Sequence, residues 1–371
     1  MQRIYLDCNA STPLDPRVAE AMRTATRHGY GNPSSLHWAG APAKQILAES
    51  RQQVATLLGC APEEIVFTSG GSEANNLALK GTFFARREQP AHIITTRVEH
   101  PSILAPCAFL ERLGARVTYL PVDGTGLVDP DDMRCAITRD TILISMMHAN
   151  NEVGTIQPIE ACARIAREHG IAFHTDAAQS AGKIPTRVDE LGIDLLSIAG
   201  HKLYAPKGVG ALYVRATTKL EPLIHGAGHE GGRRAGTESA VLAAGLGAAC
   251  ALAGDLGPME GVRQLRDRFW ASLRTLPGER ILLNGHPERR LPNTLNVSFV
   301  GRVGADILAA LDSVAASTGS ACHAGRVELS PVLAAMGVVP EAGMGAIRFS
   351  LGRATRADEI AAVVERLARI L

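Results

Sequence analysis

Between residues 65 and 214 the chain alternates short apolar runs with longer stretches whose apolar residues recur at helical spacing. The runs 65–68, 92–96, 117–122, 142–147, 172–175, 195–198 and 210–214 are seven candidate strands. Continuous apolar character, rather than alternation with polar residues, marks strands buried on both faces. Helical patterns separate several of them, such as 159–169, which Pro158 opens and Gly170 closes. Upstream, 5–13 reads as a short strand running into a turn, and 16–26 as a helix. A second helix, 43–58, is apolar at Ile46, Leu47, Val54, Leu57 and Leu58 and stops at Gly59. The stretch 29–35 is too rich in glycine and proline for either element. The pattern predicts an α/β fold with a seven-stranded, mostly parallel sheet covered on both faces. In such sheets ligands bind at the carboxyl ends of the strands.

After residue 214 the pattern changes. A glycine-rich loop (221–236) and an alanine-rich helix (239–252) lead into a smaller α+β segment. There 294–299 and 346–349 are strand-like and 305–311 is helical. Thr355 and Asp358 have capping-box spacing for a final helix. We expect a large domain over 13–257 and a small one built from 1–12 plus 258–371.

Charge narrows the partners. With 38 basic against 37 acidic residues and no long block of either sign, neither nucleic acid nor an anionic membrane is indicated. Residues 1–10 lack the apolar core of a signal peptide, and no apolar run approaches the ~20 residues of a membrane span. A cytoplasmic location is expected. Seven cysteines without a Cys-x-x-Cys pair suit neither a disulfide framework nor a zinc knuckle, so most are expected to be small buried hydrophobes. His225 and His229 have the spacing of a helical zinc pair, but glycines at 226, 228, 231 and 232 argue against a helix, and no metal is expected.

Chemistry concentrates at predicted strand ends. Lys202 follows the strand at 195–198, flanked by His201 and Gly200. Asp176 ends the strand at 172–175, where a buried carboxylate needs a cationic partner or a helix N-terminus to cap. The segment 68–73, Thr-Ser-Gly-Gly-Ser-Glu, turns a strand into a helix and offers N–H groups to an oxyanion, though it lacks the lysine of a P-loop. His100 lies just past another strand. Together these supply what pyridoxal phosphate (PLP) needs: an amine, a pyridinium partner and a phosphate cradle. Cys322 sits in a small-residue segment, 317–325, that reads as a mobile loop, with His323 beside it to favour a thiolate.

The segments 68–76, 99–100, 148–154, 176–179, 200–202, 234–238 and 319–322 closely resemble the PLP-dependent cysteine desulfurases, of fold type I, and the matches run in order from Tyr5 to Ser350. The resemblance implies that Lys202 holds PLP covalently and moves the substrate's α-proton. It implies that Asp176 pairs with the pyridine nitrogen, that His100 stacks on the ring, and that Asn151 and Gln179 bond its 3-oxygen side. Gly71, Ser72 and His201 would bind phosphate, joined by Thr237 from the partner subunit of a homodimer. Arg348, together with Asn151, would bind substrate L-cysteine. Cys322 would take its sulfur as a persulfide, for transfer to an acceptor protein in iron–sulfur cluster assembly or thiolation. One position departs: where the family often has serine two residues before His201, this chain has Ala199. Two other readings are a selenocysteine lyase and a catalytically silent binding scaffold of the same fold.

Overall fold

The seven apolar runs form one sheet. In the computed structural model, which describes residues 2–371 except 87, 88, 277, 279, 319–321, 324, 325 and 328, they span Ile65–Thr68 (β1), His92–Thr96 (β2), Arg116–Leu120 (β3), Thr141–Ser145 (β4), Ala172–Asp176 (β5), Leu195–Ala199 (β6) and Gly210–Val214 (β7). For Cys322–His323 and Arg326–Val327 the backbone alone is described. Two ends shift from expectation. β3 stops at Leu120 because Pro121 has no N–H for the ladder. β4 stops at Ser145, and the Met147 N–H goes instead to Glu99 Oε1 at 2.9 Å.

The strand order is β1-β7-β6-β5-β4-β2-β3. β2 through β6 pair in parallel, while β7 runs antiparallel to both β6 and β1. Two reversals leave β1 pointing the same way as β6. The carboxyl ends of β1, β2, β5 and β6 therefore share one edge. Successive side chains enter opposite cores: Ile94, Ile144, Leu196 and Tyr213 pack on one face, Ile93, Leu143, Leu195 and Leu212 on the other.

A second, four-stranded sheet is antiparallel and ordered Ser317–Thr318, Ala346–Ser350, Thr294–Phe299, Ile281–Asn284. The chain's first residues are built into it. Ile4–Tyr5 pairs with Val314–Ala315, the Ser350 N–H donates to Leu6 O, and Ile4 and Leu6 share a core with Phe269, Val297 and Phe349. The last helix, Ala357–Ile370, begins one residue later than the Thr355–Asp358 spacing implied: Glu359 Oε2 accepts from the Arg356 N–H at 2.9 Å. Thr355 Oγ1 instead accepts from Gly352 N–H, in the turn before it. Among the described residues no single helix is long and apolar enough to cross a membrane. Of the cysteines, Cys8, Cys107, Cys162 and Cys250 are buried as expected, whereas Cys135 is exposed.

Candidate active site

The shared strand edge opens into a cavity of about 590 Å³. Gly71, Ser72, His100, Asn151, Asp176, Gln179, His201, Lys202 and Arg348 all line it. The residues 9–11 close one side, brought there by the N-terminal segment. Thr237 does not reach it within one chain; it lines an adjoining cavity of about 220 Å³ that shares Ser69, Gly208 and Val209 with the first. The Cys322 side chain lies outside the described residues, and its backbone, in place of a loop, pairs with Val327 in a two-residue hairpin.

Lys202 ends the 3-10 turn Gly200–Lys202 that continues β6. Its Nζ donates to the carbonyls of Asn9 at 2.5 Å and Ala10 at 2.7 Å, contacts across nearly two hundred residues of chain. Burial, with Arg348 nearby, brings its pKa down to about 8, against the pull of Asp7 and Asp176. A substantial neutral fraction near physiological pH makes this amine a competent nucleophile and base.

Asp176 is buried at the end of β5, and its two oxygens have separate duties. Oδ1 accepts from the Ala178 N–H at 2.9 Å, in a turn rather than at a helix N-terminus; Oδ2 accepts from Asn75 Nδ2 at 2.7 Å. Asn75 also donates to Ser102 Oγ, which pairs with His100 Nδ1 at 2.7 Å. Because His100 Nδ1 also accepts from the Ser102 N–H, the proton of the neutral ring sits on Nε2. Burial lowers the His100 pKa, so the ring is neutral at pH 7. A single network therefore locks the carboxylate and the imidazole in place.

The cradle starts at Gly70, whose φ of 153° suits glycine alone. It leads into the helix Gly71–Phe84, and Glu73 steadies the turn by accepting from Ser69 N–H and Arg234. A Cβ on Gly71 would stand 3.1 Å from the Ala199 Cβ, so a side chain there would fill the cradle. His201 has its pKa pushed to about 4 by burial and by Lys202 and Lys207, so its ring is neutral at pH 7. Ala199 can donate nothing. Ala199→Ser is expected to slow PLP loss by about tenfold, the low end for a hydrogen bond to a charged group. Dialysis against a competing amine measures it, and equal or faster loss from the serine variant would show that the contact is already replaced.

Arg348 lies in the strand Ala346–Ser350, against both Asn296 and Ser317. Its Nη2 donates to Asp7 Oδ1 at 2.7 Å and Ser317 Oγ at 3.0 Å, and its Nη1 to Asn151 O at 3.0 Å. Its Nε is buried, and among the described residues it has no hydrogen-bond partner.

A profile of the class-V aminotransferases matches residues 4–363. The chain belongs to that family. It is 48% identical over 374 aligned residues to the cysteine desulfurase IscS of Dictyoglomus turgidum, spanning 100% of this chain and 95% of the relative. Among solved structures, a NifS-like protein superposes with a TM-score of 0.93 at 36% identity, covering 100% of this chain and 99% of that one. SspA in complex with cysteine gives a TM-score of 0.84 at 39% identity, covering 94% and 98%.

Class-V aminotransferases are PLP-dependent, and the residues present fit that cofactor. A cradle only glycine leaves open, a buried carboxylate and a lowered-pKa amine share one cavity. Sequence reasoning gave no role to Asn75, Ser102, Asn9 or Asp7. Asn75 had a findable signal, standing one turn after Gly71 and so on the same helix face. The others became visible only when distant segments met.

Proposed function

We propose that the chain is a cysteine desulfurase that takes sulfur from L-cysteine, releases L-alanine and leaves the sulfur as a persulfide on Cys322. The observation that carries this reading is the Lys202 amine, brought down to about 8, in one cavity with Asp176 and Arg348. When bound, PLP supplies an electron sink for the substrate's α-carbon. Lys202 would hold it, Asp176 would pair with its pyridine nitrogen, and Gly71, Ser72 and His201 would bind its phosphate. Asn151 and Gln179 would bond the 3-oxygen side and His100 would lie on the ring.

Lys202 Nζ takes the proton from the substrate's Cα, while Arg348 fixes the carboxylate so that the Cα–H faces the amine. Cys322, as thiolate, attacks the substrate sulfur. The Cβ–S bond breaks, an S–S bond forms at Cys322, and Cβ gains the proton that completes alanine. No external oxidant or reductant is needed to form the persulfide; passing it on requires an acceptor, which we take to be a protein.

Thr237 would complete the phosphate site from a second copy of the chain. Its place outside the main cavity and the exposed Tyr30, Leu36 and Trp38 support a homodimer. The shared core of residues 4–6 with 259–367 supports a small domain of 1–12 plus 258–371 beside a large one of 13–257. A cytoplasmic enzyme accords with the balanced charge.

The test supplies L-cysteine and a thiol reductant to PLP-loaded protein. Alanine and sulfide should appear in equal amounts, and no alanine would sink the reading. Arg348→Lys should raise KM about tenfold or more with a smaller change in kcat, since lysine cannot reproduce the planar fork. An unchanged KM would remove Arg348 from substrate binding.

A further inference from the structure

Lys183 lies beneath the cavity and is only 8% exposed. Among the described residues no carboxylate comes within ion-pair distance of it. Its Nζ has two partners, Gln179 Oε1 at 2.9 Å and Asn9 Oδ1 at 3.3 Å. Both partners are residues that face the reacting groups. The Asn9 carbonyl accepts from Lys202 Nζ and from Gln179 Nε2, the latter at 2.9 Å. That carbonyl can only accept, so the Gln179 nitrogen must turn toward it and the oxygen toward Lys183. The second N–H of Nε2 is left for the cavity that Gln179 lines.

We propose that Lys183 is a positioning residue, which clamps the Gln179 amide and the Asn9 side chain so that Gln179 presents an N–H donor to the cofactor and Asn9 holds Lys202 in place. Without Lys183, Gln179 Oε1 is a buried acceptor with no donor, and the amide is free to turn its oxygen toward the cavity. Stability alone gives no reason for this lysine. A buried amine without a counter-ion is costly, burial brings its pKa down to about 7, and that desolvation offsets much of what its two hydrogen bonds return.

The inference rests on Gln179 meeting PLP as proposed above, and the test separates the two. PLP-loaded Lys183→Met is compared with wild type by visible absorbance, by PLP retention in dialysis and by thermal unfolding. We expect a shifted absorbance maximum and about tenfold faster PLP loss, with only a small change in Tm, since losing the amine's desolvation cost offsets the stranded Gln179 oxygen. Gln179→Met should shift the band in the same direction, and the double variant no further, because both act through one amide. Lys183→Gln, which retains donors, should move the band back toward wild type, and it carries the test if Lys183→Met does not fold. An unchanged band and unchanged retention in Lys183→Met, or full additivity in the double variant, overturns the proposal, as does failure of both Lys183 variants to fold. A wild-type protein that shows no cofactor band overturns the desulfurase reading itself.

Discussion

Lys202→Ala is expected to abolish alanine release from L-cysteine, by about ten-thousandfold or more, and to remove the visible band that PLP gains when an amine holds it covalently. The size follows from losing both roles proposed for Lys202 at once, covalent anchor and mover of the α-proton, the second alone being worth about 10²–10⁴-fold. Above about pH 8 the Lys202 amine is neutral and nucleophilic, well below the range of an ordinary lysine. Two other lysines are near enough to be rivals. Lys207 lines the same cavity, and Lys183 is tied below it to Gln179 and Asn9. Neither shares the carbonyl pair of Asn9 and Ala10 that aims Lys202. Turnover assays and absorption spectra on the variant decide the matter, and a wild-type rate would remove Lys202 from the mechanism.

Cys322→Ala is expected to be as severe for desulfuration while leaving the PLP spectrum intact, because in the proposed mechanism the residue acts on the substrate sulfur and not on the cofactor. The chain itself narrows the choice of cysteine. Burial pushes Cys8 to about 11 and Cys60, Cys107, Cys162 and Cys250 to about 12, far from any thiolate at neutral pH. Exposed Cys135, on the helix Pro130–Ala136, does not line the cavity. Ser317, by contrast, touches both Arg348 and Asp7. Cys322 follows Ser317 by five residues in sequence. The measurements are alanine yield from cysteine and detection of the persulfide, with and without alkylation of Cys322. Undiminished desulfuration after alkylation would show that another group takes the sulfur.

What could be read from the chain was whatever depends on neighbours. Most strands of the large sheet stood out because they are buried on both faces and mainly apolar, and Ile65–Thr68, His92–Thr96 and Gly210–Val214 fall where the apolar runs do; the edge strand Arg116–Leu120 is only partly buried. The direction of β7 was not legible, since an apolar run carries no sign of its orientation. The helix Gly257–Leu273 was likewise hidden, its buried side limited to Met259, Val262, Arg266, Phe269 and Leu273. Lys202, Asp176 and His100 could be named because each follows a strand whose end is visible in sequence. Asn9 could not, because its use is defined by Lys202, Gln179, Lys183 and Asn293, none of them within a hundred residues of it. Asp7 owes its part to Arg348 in the same way.

The threading of the N-terminal segment through the site has a consequence for how the protein comes into being. Asn9 and Asp7 leave the ribosome first, yet the partners that hold them include Arg348 and Ser350, near the end of translation. While the sheet from β1 to β7 can form on the growing chain, the pocket floor cannot close until the strand Ala346–Ser350 has emerged and paired with Leu6 and Cys8. A nascent chain halted before that strand carries the lysine, the aspartate and the histidine but lacks the assembled site. The last strand to be made is thus the one that fixes the first residues made, and the site reaches its final form only in the finished chain.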